Sequence, residues 1–159
     1  MTENIKNSNL EKLKRDEIEH LEKEFGVLPH DYKNFLLSEN LKIYNGKYYF
    51  IDNYPYGTCS DVGFLYALYK DGEKTYDISN VYDIDWMRVD NFIAIGHDSG
   101  GAKICIDLRP ETKGHIYFYD TEGFDGQKFE EMIYKIANSF TEFIENLKDE
   151  SEMPELQDL

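Results

Sequence analysis

The chain has few cysteines, few prolines, a shortage of basic residues and no long hydrophobic run. Its 159 residues include 2 cysteines and 4 prolines, with 17 basic against 32 acidic side chains. Cys59 and Cys105 lack the C-x-x-C spacing of metal-binding or redox pairs, although their number leaves a single disulfide open. No stretch approaches the roughly 18 apolar residues of a membrane span, and the opening residues are too polar for a signal peptide. These features predict a reduced, cytoplasmic protein that does not enter a membrane.

The shortage of basic residues leaves a formal net charge of −15, and the negative charge is spread along the chain. Such a field repels nucleic acid and anionic membranes, and it speeds encounter with a cationic partner. Basic patches with interleaved aromatics, which are typical of nucleic-acid binding, are absent. The plainer interpretation, that acidity keeps a tyrosine-rich surface soluble, stays open beside the functional one.

Apolar and aromatic residues are plentiful, since the chain is 41% hydrophobic and has 13 Tyr, 10 Phe and 1 Trp. That composition excludes a disordered chain and is enough for one domain with a buried core. We place this domain at residues 15–148, after a flexible segment at 1–14 and before an acidic, disordered tail at 149–159. The order of helical and strand patterns predicts an α+β fold, a mainly antiparallel sheet with pairs of N-terminal and C-terminal helices packed on one face.

Apolar spacing predicts four helices. The first covers about residues 15–25 and ends at Gly26, and the second follows Pro29 and ends near Ser38. A stripe formed by Phe129, Ile133, Ile136 and Ala137 predicts the third helix. A capping box at 139–142 predicts the start of the fourth.

Strand signals occupy the middle of the chain. Asn45-Gly46 between two β-prone runs, Leu41–Tyr44 and 47–51, predicts a tight hairpin. Residues 64–69 favour a strand over a helix. In the segment 92–120, alternation predicts a sheet with one apolar face, while the opposite face is mixed and exposed. The apolar face is expected to comprise Ile93, Ile95, Ile104, Ile106, Ile116 and Phe118.

No motif predicts catalysis or a bound metal. The sequence GHDSGG at 96–101 lacks the Lys-Ser/Thr pair of a phosphate loop, so we interpret it as a β-turn. The four histidines are far apart and form no zinc motif. Asp83-x-Asp85 resembles a metal motif of sugar transferases, but we interpret it as a solvated acidic loop. A nucleophile pair is conceivable from Cys59 or Cys105 with His97 or His115, and Cys105 and His115 would be close if they lie on neighbouring strands. The pattern supplies no third group to activate such a pair. We therefore expect no enzyme activity, no cofactor, no metal and no small-molecule substrate.

Tyrosines concentrate in the acidic middle of the chain, between Tyr54 and Tyr82. Tyrosine beside carboxylates favours protein binding, because the ring loses little rotamer entropy and is easily desolvated. The alternative is that about half of these rings fill the core with the hydroxyl at its edge.

Four segments, in this order, resemble the SUKH superfamily, which includes the yeast cell-wall-assembly regulator and many bacterial proteins. The first is Leu28-Pro29-x-Asp31-Tyr32-x-x-Phe35-Leu36, and the second runs from Ile93 through Gly96, Asp98 and Gly100-Gly101 to Ile106-Asp107. The third is Gly114-x-Ile116-x-Phe118-x-Asp120, and the last is Ile136-Ala137-x-Ser139-Phe140-x-Glu142-Phe143-Ile144. The resemblance covers most of residues 17–148 and implies a non-enzymatic α+β domain. In bacteria it also implies an immunity protein that binds and neutralises a toxin, often a nuclease.

These observations favour a cytoplasmic immunity protein whose partner is a basic toxin domain. A regulatory or scaffolding protein of cell-wall assembly is the alternative, and an enzyme is the weakest hypothesis. For the partner-binding residues we predict exposed rings and carboxylates, namely Tyr54, Tyr56, Asp61, Asp83, Asp85, Trp86 and Asp98.

Overall fold

The fold is described from a computed structural model that covers residues 2–38, 41–66, 88–89, 91–121 and 127–153. Within them lie three α-helices, which are α1 (Thr2–Phe25), α2 (His30–Leu37) and α3 (Phe140–Glu145). The strands are β1 (Tyr48–Phe50), β2 (Cys59–Asp61), β3 (Phe64–Leu65), β4 (Arg88–Val89), β5 (Phe92–His97), β6 (Lys103–Asp107), β7 (Ile116–Tyr119) and β8 (Ile133–Ala137).

The strands form two antiparallel sheets. β1 pairs with β2, while the larger sheet has the order β3-β5-β6-β7-β8, with β4 beside β3 on the same edge of β5. Helices and antiparallel strands share one hydrophobic core, so the predicted α+β class is confirmed.

The N-terminal helix pair forms as its sequence pattern predicts. Ile18 and Leu21 are buried on α1, and Tyr32, Phe35 and Leu36 are buried on α2. Gly26 adopts φ +99° and its N–H donates to the carbonyl of Glu22, which ends α1 in the left-handed cap that glycine favours. α1 is longer than predicted, because it begins at Thr2.

The predicted apolar face of the central strands is present. Ile106 pairs with both Ile93 and Ile116, Ile104 pairs with Phe118, and all five side chains are buried. The register of β5 shifts between Ala94 and Gly96, where a bulge accommodates Ile95.

The opposite face is not the exposed mixed surface that alternation predicts. Lys103, Cys105 and Asp107 are all buried on it. Phe129 covers part of this face, with its ring centroid 5.1 Å from that of Phe92. Alternation of residue types shows which side chains share a face, but not whether another segment covers that face.

The predicted C-terminal helix pair is wrong in its first member. Residues Phe129–Glu131 form a 3₁₀ turn and 133–137 form β8, which pairs with β7. The run Ile-Tyr-Lys-Ile is rich in residues that favour strands, and pairing along β7 satisfies its backbone, which outweighs the helical spacing of four apolar residues. The second member, α3, is present and is capped by Ser139, whose Oγ accepts the N–H of Glu142 at 3.0 Å.

The predicted Asn-Gly hairpin is also wrong, because Leu41–Tyr44 is a 3₁₀ helix. Gly46 turns with φ +85°, but the chain then enters β1, whose partner is the distant β2. The side chain of Asn45 accepts the N–H of Leu65, so the turn packs against β3 instead of closing a local hairpin. The strand favoured at 64–69 is β3, which ends at Leu65, and residues 67–69 lie outside the described part.

The domain limits stay a prediction. The described chain is helical from Thr2, and a 3₁₀ turn at Glu150–Glu152 with a capping box at Asp149 falls within the predicted tail. Met153 beyond it is buried, and an ion pair of 2.7 Å joins Lys47 to Asp149.

Candidate functional site

The loop between β1 and β2 presents two of the predicted binding residues. Its ends are held together by the N–H of Ile51, which donates to the carbonyl of Thr58 at 2.8 Å. Asn53 adopts φ +63°, a conformation that asparagine tolerates better than most residues. The loop therefore places Tyr54 half-buried over the sheet, while Tyr56 is 61% exposed.

Tyr54 is the centre of an aromatic group, which we call the Tyr54 cluster, formed with Tyr56, Phe118 and Tyr134. The ring centroid of Tyr54 lies 5.7 Å from that of Tyr56, 5.1 Å from Phe118 and 5.0 Å from Tyr134, all in edge-to-face geometry. Such contacts add roughly 0.5–1.5 kcal/mol each beyond burial of area. The cluster therefore fixes its rings before any partner arrives.

A carboxylate orients the cluster. The hydroxyl of Tyr54 donates to Oδ2 of Asp120 at 2.9 Å. Burial and the bond to Asp120 raise the pKa of Tyr54 well above its usual range, and burial together with the charge of Asp120 raises the pKa of Tyr134. Both phenols therefore remain neutral hydrogen-bond donors at physiological pH.

A groove of about 530 Å³ adjoins the cluster. We call it the β8 groove, since it runs along every residue from 133 to 138 and is bounded by Asp52, Asn53 and Glu142. Neither Asp52 nor Glu142 forms an ion pair with any cation in the described part of the chain. The surface thus combines oriented rings with carboxylates that are available for new partners.

Two of the four predicted carboxylates, Asp61 and Asp98, lie together in a different place, at the turn after β5. Asp98 is only 8% exposed, and its carboxylate accepts the N–H groups of Gly100 and Ala102 and the hydroxyl of Ser60. Asp61 accepts both the N–H and the hydroxyl of Ser99. These bonds confirm the β-turn and join it to β2. We expect Asp98 to shape this turn from within rather than to touch a partner.

The turn approaches β3 closely. A Cβ on Gly63 would lie 2.8 Å from the carbonyl carbon of Asp98, so a side chain there would force the two segments apart. A second groove, of about 540 Å³, opens here and is lined by Phe64, His97, Asp98 and Lys103 among others.

Ionisable groups converge in this second groove, so its chemistry decides whether it resembles an active site. His97 Nδ1 lies 2.9 Å from the hydroxyl of Tyr66, and burial, followed by the charge of Lys103, lowers the pKa of His97. The hydroxyl of Ser99 donates to Asp61 at 2.9 Å instead of pairing with the imidazole. The carboxylate of Asp98 accepts hydrogen bonds from the backbone N–H groups of Gly100 and Ala102 in the turn. The arrangement supplies a neutral imidazole but no activated nucleophile among these groups.

The conceivable Cys105–His115 pair does not form an activated thiol either. Cys105 pairs with Tyr117 across β6 and β7, and burial raises the pKa of its thiol to about 12. Such a thiol is not ionised at neutral pH. Both cysteines are free, so the disulfide that the sequence left open is absent.

At the end of β6, a second buried carboxylate is likewise occupied by hydrogen bonds from its own chain. Asp107 is fully buried and accepts four hydrogen bonds from Arg109, one from its backbone N–H and three from its guanidinium, and one from the hydroxyl of Thr112. Burial raises the pKa of Asp107, but the bonds from Arg109 and Thr112 outweigh it and hold the pKa below its ordinary value. The guanidinium of Arg109 also lies 4.9 Å over the ring of Phe92.

Of the seven predicted binding residues, the structure brings Tyr54 and Tyr56 together and, separately, Asp61 and Asp98. Asp83, Asp85 and Trp86 lie outside the described residues. Sequence reasoning did not predict that Asp52, Asp120 and Tyr134 belong to this candidate binding surface. A strand interpretation of 133–137 would have placed Tyr134 beside Phe118, but the helical stripe concealed it.

Within the described chain, no helix is long and apolar enough to cross a membrane. No group of three or more His, Cys, Asp or Glu side chains in that part of the protein is arranged to hold a metal ion.

Comparison with known proteins identifies the family. The model of the SMI1 / KNR4 family (SUKH-1) matches residues 12–146. The chain belongs to this family. It is also 31% identical, over 156 residues, to the SPbeta prophage-derived uncharacterized protein YokK of Bacillus subtilis (strain 168), a match that covers 85% of this chain and 74% of that protein. No solved structure matches the chain.

Proposed function

We propose that this protein is an immunity protein, which binds a toxin domain with a basic surface and neutralises it by masking that surface. The observation that carries the proposal is the Tyr54 cluster beside the β8 groove. Oriented rings with neutral hydroxyls border carboxylates that lack ion-pair partners in the described part of the chain. Tight interfaces combine such aromatic anchors with a rim of charge.

Electrostatics favours a cationic partner. The net charge of −15 speeds association with a basic protein and opposes binding to nucleic acid. Nuclease domains need basic surfaces to hold phosphates, so a toxin of that class fits the acidic surface best.

Membership of the SMI1 / KNR4 (SUKH-1) family supports the same function, and so does the prophage origin of the relative YokK. Among the described residues, the two groups of ionisable side chains do not favour an enzymatic hypothesis, because Cys105 is a neutral thiol and the hydroxyl of Ser99 donates to Asp61.

The proposal is tested by co-expressing the protein with the toxic domain that is encoded beside its gene. We expect cells to survive, and we expect a 1:1 complex that weakens as the salt concentration rises. Tyr56→Ala is expected to lower the protection, whereas Glu150→Gln, which changes an exposed residue in the C-terminal 3₁₀ turn, serves as a control.

Death of the co-expressing cells together with the absence of a complex contradicts the proposal. A role in cell-wall assembly then gains support if wall-synthesis proteins co-purify and deletion of the gene alters the wall.

A further inference from the structure

β8 lies at the edge of the larger sheet. In the sheet order it follows β7, and no described strand pairs with its other side. The β8 groove contacts six successive residues, 133–138. Because successive side chains of a strand point to opposite faces, a groove that touches all of them runs along the backbone edge.

The register shows which backbone groups face this edge. The N–H of Asp120 donates to the carbonyl of Met132 at 2.9 Å, and Phe118 is paired with Tyr134. Hydrogen-bonded and non-hydrogen-bonded pairs alternate along antiparallel strands, so Ile133 and Lys135 are the non-hydrogen-bonded positions. Their N–H and C=O groups therefore point away from β7 and into the groove.

The charges beside the edge favour one kind of occupant. The groove is lined by the carboxylates of Asp52 and Glu142 and by one cation, Lys135, while Asp120 and the hydroxyl of Tyr54 lie beside Tyr134. Carboxylates therefore outnumber cations among these described residues. A second copy of this chain is a poor occupant, because two chains of net charge −15 repel and pairing about Lys135 opposes like charges.

We propose that the edge of β8 receives an extended segment of the basic partner, which adds to the sheet as a further strand. Alternate side chains of this segment are lysine or arginine and point toward Asp52 and Glu142. Backbone hydrogen bonds to Ile133 and Lys135 supply affinity, and the carboxylates select basic residues. This inference rests on the proposed function and locates the contact that the function requires.

Amide-resolved hydrogen exchange on the unmutated protein tests the pairing directly, with the toxic domain encoded beside the gene as the partner. In the free protein, the amides of Ile133 and Lys135 are expected to exchange rapidly, while that of Tyr134 is protected by β7. In the complex, both outward amides become protected by at least tenfold.

Two pairs of variants measure the contributions to binding. Lys135→Pro removes an outward N–H without breaking the β7 ladder, and Lys135→Ala removes the same charge but keeps the N–H. We expect the proline variant to bind about tenfold more weakly than the alanine variant.

Glu142→Lys is expected to slow association with the toxic domain and to make the association rate less dependent on salt. Glu145→Lys, which changes an exposed residue at the end of the same helix, is the control.

The outcomes separate the two proposals. If the unmutated protein forms no complex, the proposed function fails and this inference fails with it. If the complex forms but the Ile133 and Lys135 amides still exchange rapidly, or the proline and alanine variants bind equally, only the edge pairing is overturned. Protection of these amides in the free protein together with a dimer in sedimentation would assign the edge to a second copy and overturn it as well.

Discussion

Asp98, directly after β5, and Asp107, the last residue of β6, are buried and accept hydrogen bonds from their own chain. Asp52 and Glu142, at the β8 groove, have no ion-pair partner among the cations of the described residues. All four are acidic residues, but the first two contribute to folding and the other two to the field outside the protein. Net charge indicates the sign of a favoured partner, whereas the hydrogen bonds of each carboxylate indicate which of them can contact that partner directly.

The largest effect is expected where the internal bonding is most complete. Asp107→Ala should lower the free energy of unfolding by about 3 kcal/mol, because it leaves Arg109 and Thr112 without their buried acceptor. Asp52→Ala, which removes an exposed carboxylate, should change it by less than about 0.5 kcal/mol. Urea denaturation of both variants measures the difference, and equal losses would abolish the distinction between the two regions.

A change in the open region should affect binding more than folding. Tyr56→Ala should weaken the complex with the toxic domain about tenfold or more, since exposed rings at the centre of an interface supply much of its affinity. Because Tyr56 is 61% exposed and loses its edge-to-face contact with Tyr54, the free energy of unfolding of the free protein should fall by no more than about 1.5 kcal/mol. Calorimetric titration and a thermal melt report the two quantities, and a variant that loses stability but not affinity would make Tyr56 a structural residue.

Tyr54→Phe sharpens the comparison within the open region, because it retains the ring contacts and removes only the hydroxyl. The lost bond to Asp120 should lower the free energy of unfolding by about 1 kcal/mol. Tyr134→Phe is the matched control, since the hydroxyl of Tyr134 has only a long contact of 3.5 Å to the carbonyl of Glu131. Chemical denaturation that ranks the two variants in the opposite order would show that Asp120 does not orient the cluster.

The smallest effect concerns pH. The folded protein holds the pKa of His97 below its ordinary value of 6.5, chiefly by burial. As the pH falls below 6.5, the imidazole is protonated in the unfolded chain before it is protonated in the folded protein. The free energy of unfolding therefore decreases as the pH falls from 6.5 toward the lower pKa of the folded state. His97→Gln should make the slope of stability against pH shallower between pH 7.5 and 5.5. Denaturation curves at several pH values measure this slope. His30→Gln, which changes an exposed residue at the start of α2, is the control.

The sequence predicted the elements whose pattern and boundary signals agree. α2 follows from Pro29 and three apolar residues at helical spacing, and α3 follows from the Ser139 cap. The apolar face of β5, β6 and β7 follows from alternation over three neighbouring runs. In each case the local preference and the tertiary packing favour the same structure.

The sequence failed where a segment satisfies two patterns or where a distant partner decides. Residues 133–137 carry both helical spacing and strand-forming side chains, and the edge of β7 determines that they form a strand. β1 pairs with β2 across a long loop, which the adjacent Asn-Gly turn could not indicate. Asp98 stays a predicted contact, and the sequence could not indicate that its carboxylate is buried and bonded within the turn, because those bonds come from Ser60, Gly100 and Ala102.

By itself, the amino-acid sequence determined the α+β class, the acidic field, the aromatic content and the family resemblance, because these depend on composition and on local order. Only the tertiary structure decided which carboxylates remain available, which rings surround Tyr54 and which strand lies at the edge of the sheet. The physical reason is that burial and hydrogen bonding between distant segments determine whether a charged or aromatic side chain serves the fold or faces outward.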